Sequence, residues 1–563
     1  MKSLSRKKSD TRWLITAVFL ILALLLFLPG IHWGVPEANA ANRVHPWEHD
    51  EIAPLGFGEF YFSLFSDEPR FDPRYPLGAY YVQLLFVTPY LLILAITGQI
   101  QNFTSSYPYG LVDPVSTLRN LTLIGRLPSL LASAAVIATA YRTAGDIWDE
   151  TAGRLAGIFV LLIYPMAYYS RTSNVDMLAL LWCTLGLWVF ARILRFGLTY
   201  RRATLLGVLA ALATATKDPS WAVFFSLVPY FVWTLIWDFQ ENKHINRSQL
   251  KMLLAGLTSA LLVYAVFSGA ILNLQRFQSH LYFIVHGSPE GVGIMNWHYS
   301  NAATFSGYLT IIREMILAFV YSLGVINLLL GLIGVFISRK ENPASLWMAA
   351  PVIGIILLII LPVRFVMLRF VLIPAYILAI FAARGAAQWL KTPSAWFRRL
   401  GIAVISLGIA WSVLALVDFN YQLWNDSRYG VQQWITPYLK PGDRVGCADY
   451  LNCVRLPYLP EFVTSASLPR QKYLVVELPP AADFEWLIFL PHEQEQGEEF
   501  LSDDVWQGLI EGRSNYQLVY HHATNSFLNY RPLPQVSPPV WVFLRKDLLE
   551  RVCPNLTCPA VTR

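Results

Sequence analysis

"MKSLSRKKSDTRW" (1–13) followed by "LITAVFLILALLLFLPG" (14–30) sets the class of this chain. A basic flank ahead of an apolar run of about 17 residues has two readings. It is a cleavable signal, for which "EANAANR" (37–43) offers small residues to a peptidase, or it is a first membrane helix. The run is long for a signal core, and similar runs recur downstream, which favours the helix. Lys2, Arg6, Lys7 and Lys8 would then stay in the cytoplasm.

Eleven further apolar segments lie near 77–98, 120–141, 154–170, 174–193, 203–216, 219–237, 251–273, 313–337, 346–361, 366–388 and 400–418. The 563 residues are 55% hydrophobic and only 14% charged, against about 25% charged in an ordinary soluble domain. Aromatic residues at 14% exclude a disordered chain, and a net charge of +6 over this length gives no sign of a nucleic-acid partner. The composition is that of a polytopic α-helical membrane protein.

Basic loops orient the helices. "ARILRFGLTYRR" (191–202), "NKHINRSQLK" (242–251), "SRK" (338–340) and "KTPSAWFRR" (391–399) all become cytoplasmic if segment 77–98 does not span. That segment contains Pro89, Gln83 and three tyrosines, and reads as an interfacial or re-entrant helix. Eleven crossings remain. The regions 30–119, 274–312 and 419–563 are then outside, giving a membrane domain over 1–418 and an extracytoplasmic domain over 419–563.

The tail is polar and Pro-rich. Strand-like "KYLVVELP" (472–479) and "PVWVFLRK" (539–546) flank helical "DDVWQGLIEG" (503–512), so a small α+β domain is expected. Cys447/Cys453 and Cys553/Cys558 are disulfide candidates in an oxidising compartment. A four-cysteine zinc site is the rival, although the spacings are not those of zinc knuckles. No internal repeat is evident.

Charged residues concentrate at the outer turns. "HPWEHDEIAPLGFGEFYFSL" (45–64) sets Asp50 and Glu51 just beyond a membrane helix. There they form a solvated cap, or a carboxylate that takes a proton from an acceptor. His45, Glu48 and His49 could instead gather a metal, on weak loop spacing. Arg74 and Tyr75 precede Pro76 where the chain returns to the membrane, and Arg74 snorkels, pairs with Asp72 or binds a lipid phosphate. Arg171 and Asp176 lie in "YYSRTSNVDMLALLW" (168–182), and Lys217–Asp218–Pro219 lie in the next outer turn, where Asp218 could neutralise Lys217. Arg364 and Arg369 bracket the turn in "PVRFVMLRFVLIPAY" (362–376), as interfacial anchors or as phosphate ligands. Acids and cations from five turns thus converge on one face, which suits a charged lipid and a polar acceptor. No Gly-rich phosphate loop is present, so no nucleotide cofactor is expected, and no metal is required.

The order of these motifs resembles the GT-C superfamily of polyprenyl-phosphate-sugar-dependent transferases, in the branch of protein O-mannosyltransferases and the lipid A aminoarabinose transferase. The similarity covers about residues 30–380. It rests on the acidic pair Asp50–Glu51, "RYPLGAYY" (74–81), Arg126 in "LIGRLPSLLASAA", Asp176 in "RTSNVD", Thr216–Lys217, His286 in "YFIVHG" and Arg369 in "RFVLIP". Two departures are plain. Tyr75 stands before Pro76 where the aminoarabinose transferase has a lysine, and "GSPEG" (287–291) lacks the arginine that follows the outer-loop histidine.

The resemblance implies a GT-C-type helical bundle whose first outer loop carries interfacial helices. It also implies that Asp50, with Glu51, acts on the acceptor while cationic residues (Lys217, Arg74, Arg369, Arg364) hold the donor phosphate. Asp176, Tyr75, Arg126 and His286 fall to the sugar and acceptor pocket. The expected activity is sugar transfer from a polyprenyl phosphate to a lipid, glycan or protein hydroxyl at the outer face of a plasma membrane. A transporter or flippase of a lipid-linked glycan is the alternative, favoured by charges buried within helices and by an inverted repeat. A non-catalytic scaffold would leave the first-loop acids unexplained.

Overall fold

The computed structural model describes residues 2–37, 43–48, 50–57, 75–101, 104, 107–243, 246–286, 301–448, 453–468, 484–490 and 503–552; side chains are described from Arg12 onward, Asn242 excepted. Among the described residues nine helices are long and apolar enough to cross a membrane, and a shorter apolar helix runs over Arg12–Phe27. Eleven crossings were expected from the sequence. Gly78–Ile96 is one of the nine by length and composition, with Pro89 inside it.

Local chemistry sets the helix ends. Asn174 caps Val175–Phe196, its Oδ1 accepting the Asp176 N–H at 3.1 Å. Asp149 caps Glu150–Leu161 through the Thr151 and Ala152 N–H groups. Several expected segments prove to be broken. The run 154–170 divides into Glu150–Leu161 and Tyr164–Tyr169, with Pro165 in the first turn of the second. The run 313–337 falls on two helices, Phe305–Leu323 and Val325–Glu341. Gly324 separates them at φ 73°, a left-handed conformation that a side chain would disfavour.

The chain folds as two compact units. The first comprises Met1–Pro29, Asp67–Phe86 and Arg126–Leu416. Its most buried membrane helix, Leu372–Leu390, packs against Glu150–Leu161 and Val325–Glu341, while Tyr200–Thr216 packs against Arg247–Phe267. The second comprises Gly30–Ser66, Val87–Gly125 and Val417–Arg563, so parts of the first loop fold with the tail.

The tail forms a five-stranded sheet of β1 (Arg444–Cys447), β2 (Thr464–Ser467), β3 (Trp486–Phe489), β4 (Tyr516–His522) and β5 (Val540–Arg545), in the order β2-β1-β3-β5-β4. β1 is parallel to β2 and β3, and β5 is antiparallel to β3 and β4. Val431 and Ile435 of the Ser427–Ile435 helix pack with Val445, Trp486 and Val542. Leu509 of Asp503–Ile510 packs with Phe489 and Phe543 in a second cluster. The expected strand at 539–546 and helix at 503–512 are both present; 472–479 lies outside the described residues. Cys447 and Cys453 form a disulfide with Cα atoms 5.3 Å apart, which removes them from any zinc site; Cys553 and Cys558 lie outside the described residues.

Candidate active site

In the first unit the turn after Tyr200–Thr216 presents Lys217, whose Nζ pairs with Asp176 Oδ1 at the start of Val175–Phe196. Both side chains are largely buried, at 12% and 2% exposure. Lys217 was expected to find its partner in Asp218; instead Asp218 lies 3.3 Å from the buried His280 Nε2. The second Asp176 oxygen, Oδ2, is buried without a hydrogen-bond partner among the described residues.

Asp176, Lys217 and Arg369 line one pocket with Phe370, and Leu180, Ile355, Ile359 and Leu372 complete its apolar wall. The Phe370 ring centroid lies 5.9 Å from both Lys217 Nζ and Arg369 Cζ. The start of Gly78–Ile96 closes on the lysine turn, since a Cβ on Gly78 would stand 2.5 Å from the Ala215 carbonyl oxygen. Gln83, from the same helix, donates to the Ser173 carbonyl at 3.0 Å.

Other residues of the first unit serve elsewhere. Arg171 is buried, and its guanidinium donates to the Leu26, Phe27 and Pro29 carbonyls, capping the end of the first helix. Arg126 is buried and Tyr75 half-buried. Arg364 adopts a left-handed backbone (φ 53°), and its carbonyl accepts from Asn301 Nδ2 at 3.2 Å. His286 is exposed and stacks on Tyr282, with ring centroids 4.4 Å apart. Arg74 and His49 lie outside the described residues. Among the described residues no group of three His, Cys, Asp or Glu could hold a metal ion.

The second unit holds Asp50 and Glu51, both half-buried, beside a fully buried acid, Glu48. Glu48 Oε1 accepts the Asp50 N–H at 3.1 Å. Burial, reinforced by the neighbouring Asp50 charge, pushes the Glu48 carboxyl up to about 8, and Arg455 pulls against that rise. Burial also lowers His45.

The same stretch is fastened to the tail. Trp47 Nε1 donates to the Leu456 carbonyl at 3.0 Å, its ring stacks on Tyr458 at 5.3 Å, and the Arg428 guanidinium lies 3.9 Å above it. Trp33 Nε1 donates to Asp426 Oδ2 at 2.9 Å, and Tyr458 donates to the Gly34 carbonyl at 2.9 Å. Asp426 and Arg428 form a buried ion pair at 2.7 Å. Tyr429 and Tyr458 also line a pocket with Arg119, Asn120, Glu37 and His32.

Sequence reading passed over Glu48 as a site residue in its own right, and over His280, Asp426, Arg428 and Arg455. His280 carried a signal: in "LQRFQSHLYFIVH" (274–286), positions 276, 280 and 283 share a helical face.

The family model of dolichyl-phosphate-mannose-protein mannosyltransferase matches residues 118–269. No curated protein matches. Among solved structures, ArnT from Cupriavidus metallidurans is 12% identical, with a TM-score of 0.45, covering 96% of this chain and 99% of that one. The Archaeoglobus fulgidus oligosaccharyltransferase is 10% identical with a TM-score of 0.46; the match covers 84% of this chain and 67% of that one. The S. cerevisiae protein O-mannosyltransferase complex Pmt1-Pmt2 is 16% identical with a TM-score of 0.35, covering 48% and 34%. The resemblance to GT-C glycosyltransferases is borne out by the family match, which runs through Arg126, Asp176 and Lys217.

Proposed function

We propose that this chain transfers a sugar from a polyprenyl-phosphate carrier to an acceptor hydroxyl at the outer face of a plasma membrane, by one inverting displacement. The carrying observation is the pocket in which Lys217 and Arg369 stand against an apolar wall of Leu180, Ile355, Ile359 and Leu372. A polyprenyl phosphate has the complementary chemistry, an anion on a hydrocarbon chain. Lys217 and Arg369, joined by Arg74 and Arg364, stabilise the departing phosphate as its charge grows. The buried Asp176 Oδ2, without a hydrogen-bond partner among the described residues, suits a sugar hydroxyl, whose O–H would satisfy an acceptor that is costly to leave unpaired. Tyr75, Arg126 and His286 complete the sugar and acceptor side.

Asp50, supported by Glu51, takes the proton of the acceptor hydroxyl. The acceptor oxygen bonds to the anomeric carbon while the bond to the phosphate oxygen breaks, and the electron pair leaves with polyprenyl phosphate. The basic loops support a cytoplasmic N-terminus and an outer tail.

The test uses the full chain in lipid nanodiscs with a panel of polyprenyl-phosphate sugars and candidate acceptors, following released polyprenyl phosphate by mass spectrometry. Wild type should release it, and Asp50→Asn should be slower by about 100-fold or more. Equal release from both removes Asp50 as the base. Binding without release from either favours the transporter reading.

A further inference from the structure

We propose that Glu48 is a positioning residue for Asp50, and that Arg455 and Trp47 make the C-terminal tail part of the catalytic apparatus through it. The proposal rests on the reading of Asp50 as the base. Asp50 sits between two fastened points of the second unit. Behind it, Trp47 is held by the Leu456 carbonyl, the Tyr458 ring and the Arg428 guanidinium, and Glu48 is buried in the field of Arg455. Ahead of it, Ala53 and Phe57 pack so closely on Gly125 that a Cβ there would stand 2.7 Å from the Ala53 Cβ.

The hydrogen bond from the Asp50 N–H to Glu48 Oε1 connects the base's own backbone to the rear anchor. A buried carboxyl carries a large desolvation penalty, and Glu48 also has Asp50 and Glu51 as acidic neighbours. Arg455 of the tail pulls against the resulting rise, and the tail meets this turn through the Trp47 Nε1 bond to the carbonyl of the neighbouring Leu456. Aim at an acceptor hydroxyl is sensitive to small displacements, so loosening this bond should reduce turnover more than donor affinity.

Full-length chains in nanodiscs, carrying the polyprenyl-phosphate sugar that wild type turns over fastest, provide the test. Glu48→Leu removes the acceptor for the Asp50 N–H, whereas Glu48→Gln keeps it. Glu48→Leu should lower kcat at least tenfold with donor KM within twofold, and Glu48→Gln should stay within threefold of wild type at neutral pH. Arg455→Leu should lower kcat, with partial recovery in Arg455→Lys. Hydrogen exchange over 43–57, read on every variant, should quicken in Glu48→Leu and Arg455→Leu and remain slow in Glu48→Gln.

Unchanged kcat and exchange in both leucine variants overturns the proposal, as does a change confined to donor KM. Should Asp50→Asn turn over normally, the base reading fails instead, and exchange over 43–57 still decides whether Glu48 and Arg455 hold that turn. If a leucine variant does not fold, the Arg455→Lys and Glu48→Gln results decide. Loss in Glu48→Gln equal to that in Asp50→Asn, with slow exchange retained, rejects a positioning role.

Discussion

A carboxyl held out of water ionises late, and Glu48 links that delay to stability. Its ordinary value of 4.5 rises to about 8 in the fold, so between those values the folded chain binds more protons than the unfolded one. Its contribution is therefore complete below about pH 4.5 and is lost as pH climbs through 8. Thermal scans in nanodiscs should show a melting temperature that falls across this window, and Glu48→Gln should flatten the slope. Lys217 and Asp176 present the opposite case, a buried pair. Lys217→Met should destabilise the first unit by about 3–5 kcal/mol by stranding the Asp176 charge, and the double variant Lys217→Met/Asp176→Leu should recover most of that in denaturant melts. Charged residues at turns of an apolar chain identified Asp50, Asp176, Lys217 and Arg369 as candidates. Their pairing was not legible: Lys217 and Asp218 are adjacent, yet one meets Val175–Phe196 and the other the buried face of Leu274–His286.

Among the helices, Gly78 marks the closest approach to the lysine turn. Gly78→Val places atoms against the Ala215 carbonyl, a strain of about 1–3 kcal/mol, and shifts the backbone ahead of Lys217. Donor KM should rise at least threefold while hydrogen exchange over 43–57 stays as in wild type. Runs of apolar residues made the helices easy to find, because a bilayer demands length and little else. Breaks within a run left a weaker trace. At Gly324 apolar sequence continues on both sides, so hydropathy runs straight through a break that only backbone conformation reveals. Likewise, β5 announced itself in "PVWVFLRK", whereas the four-residue β2, "TSAS", has no apolar pattern to find.

Across the whole molecule, the donor-side candidates Asp176, Lys217 and Arg369 fall in one compact unit and Asp50 in the other. The disulfide in the second unit closes a short loop, which should contribute about 2 kcal/mol by restricting the unfolded chain. Reductant should lower the unfolding free energy by that amount, whereas Cys447→Ser/Cys453→Ser should start lower by as much and not respond to reductant. The partition itself was hidden in the sequence, since nothing near residues 33–48 shows that their partners lie almost four hundred positions later. The tail run "NDSRYGVQQW" (425–434) carries Asp426, Arg428 and Tyr429, and Leu456 and Tyr458 follow further on.

The keying of Trp33, Gly34 and Trp47 to 426–458 has a bearing on recombination. A chimaera that took its tail from one homologue and its opening loop from another would seat Trp47 on foreign rings and leave Asp426 facing an unmatched indole. The two stretches must be inherited together, as one cassette interrupted by the membrane helices between them.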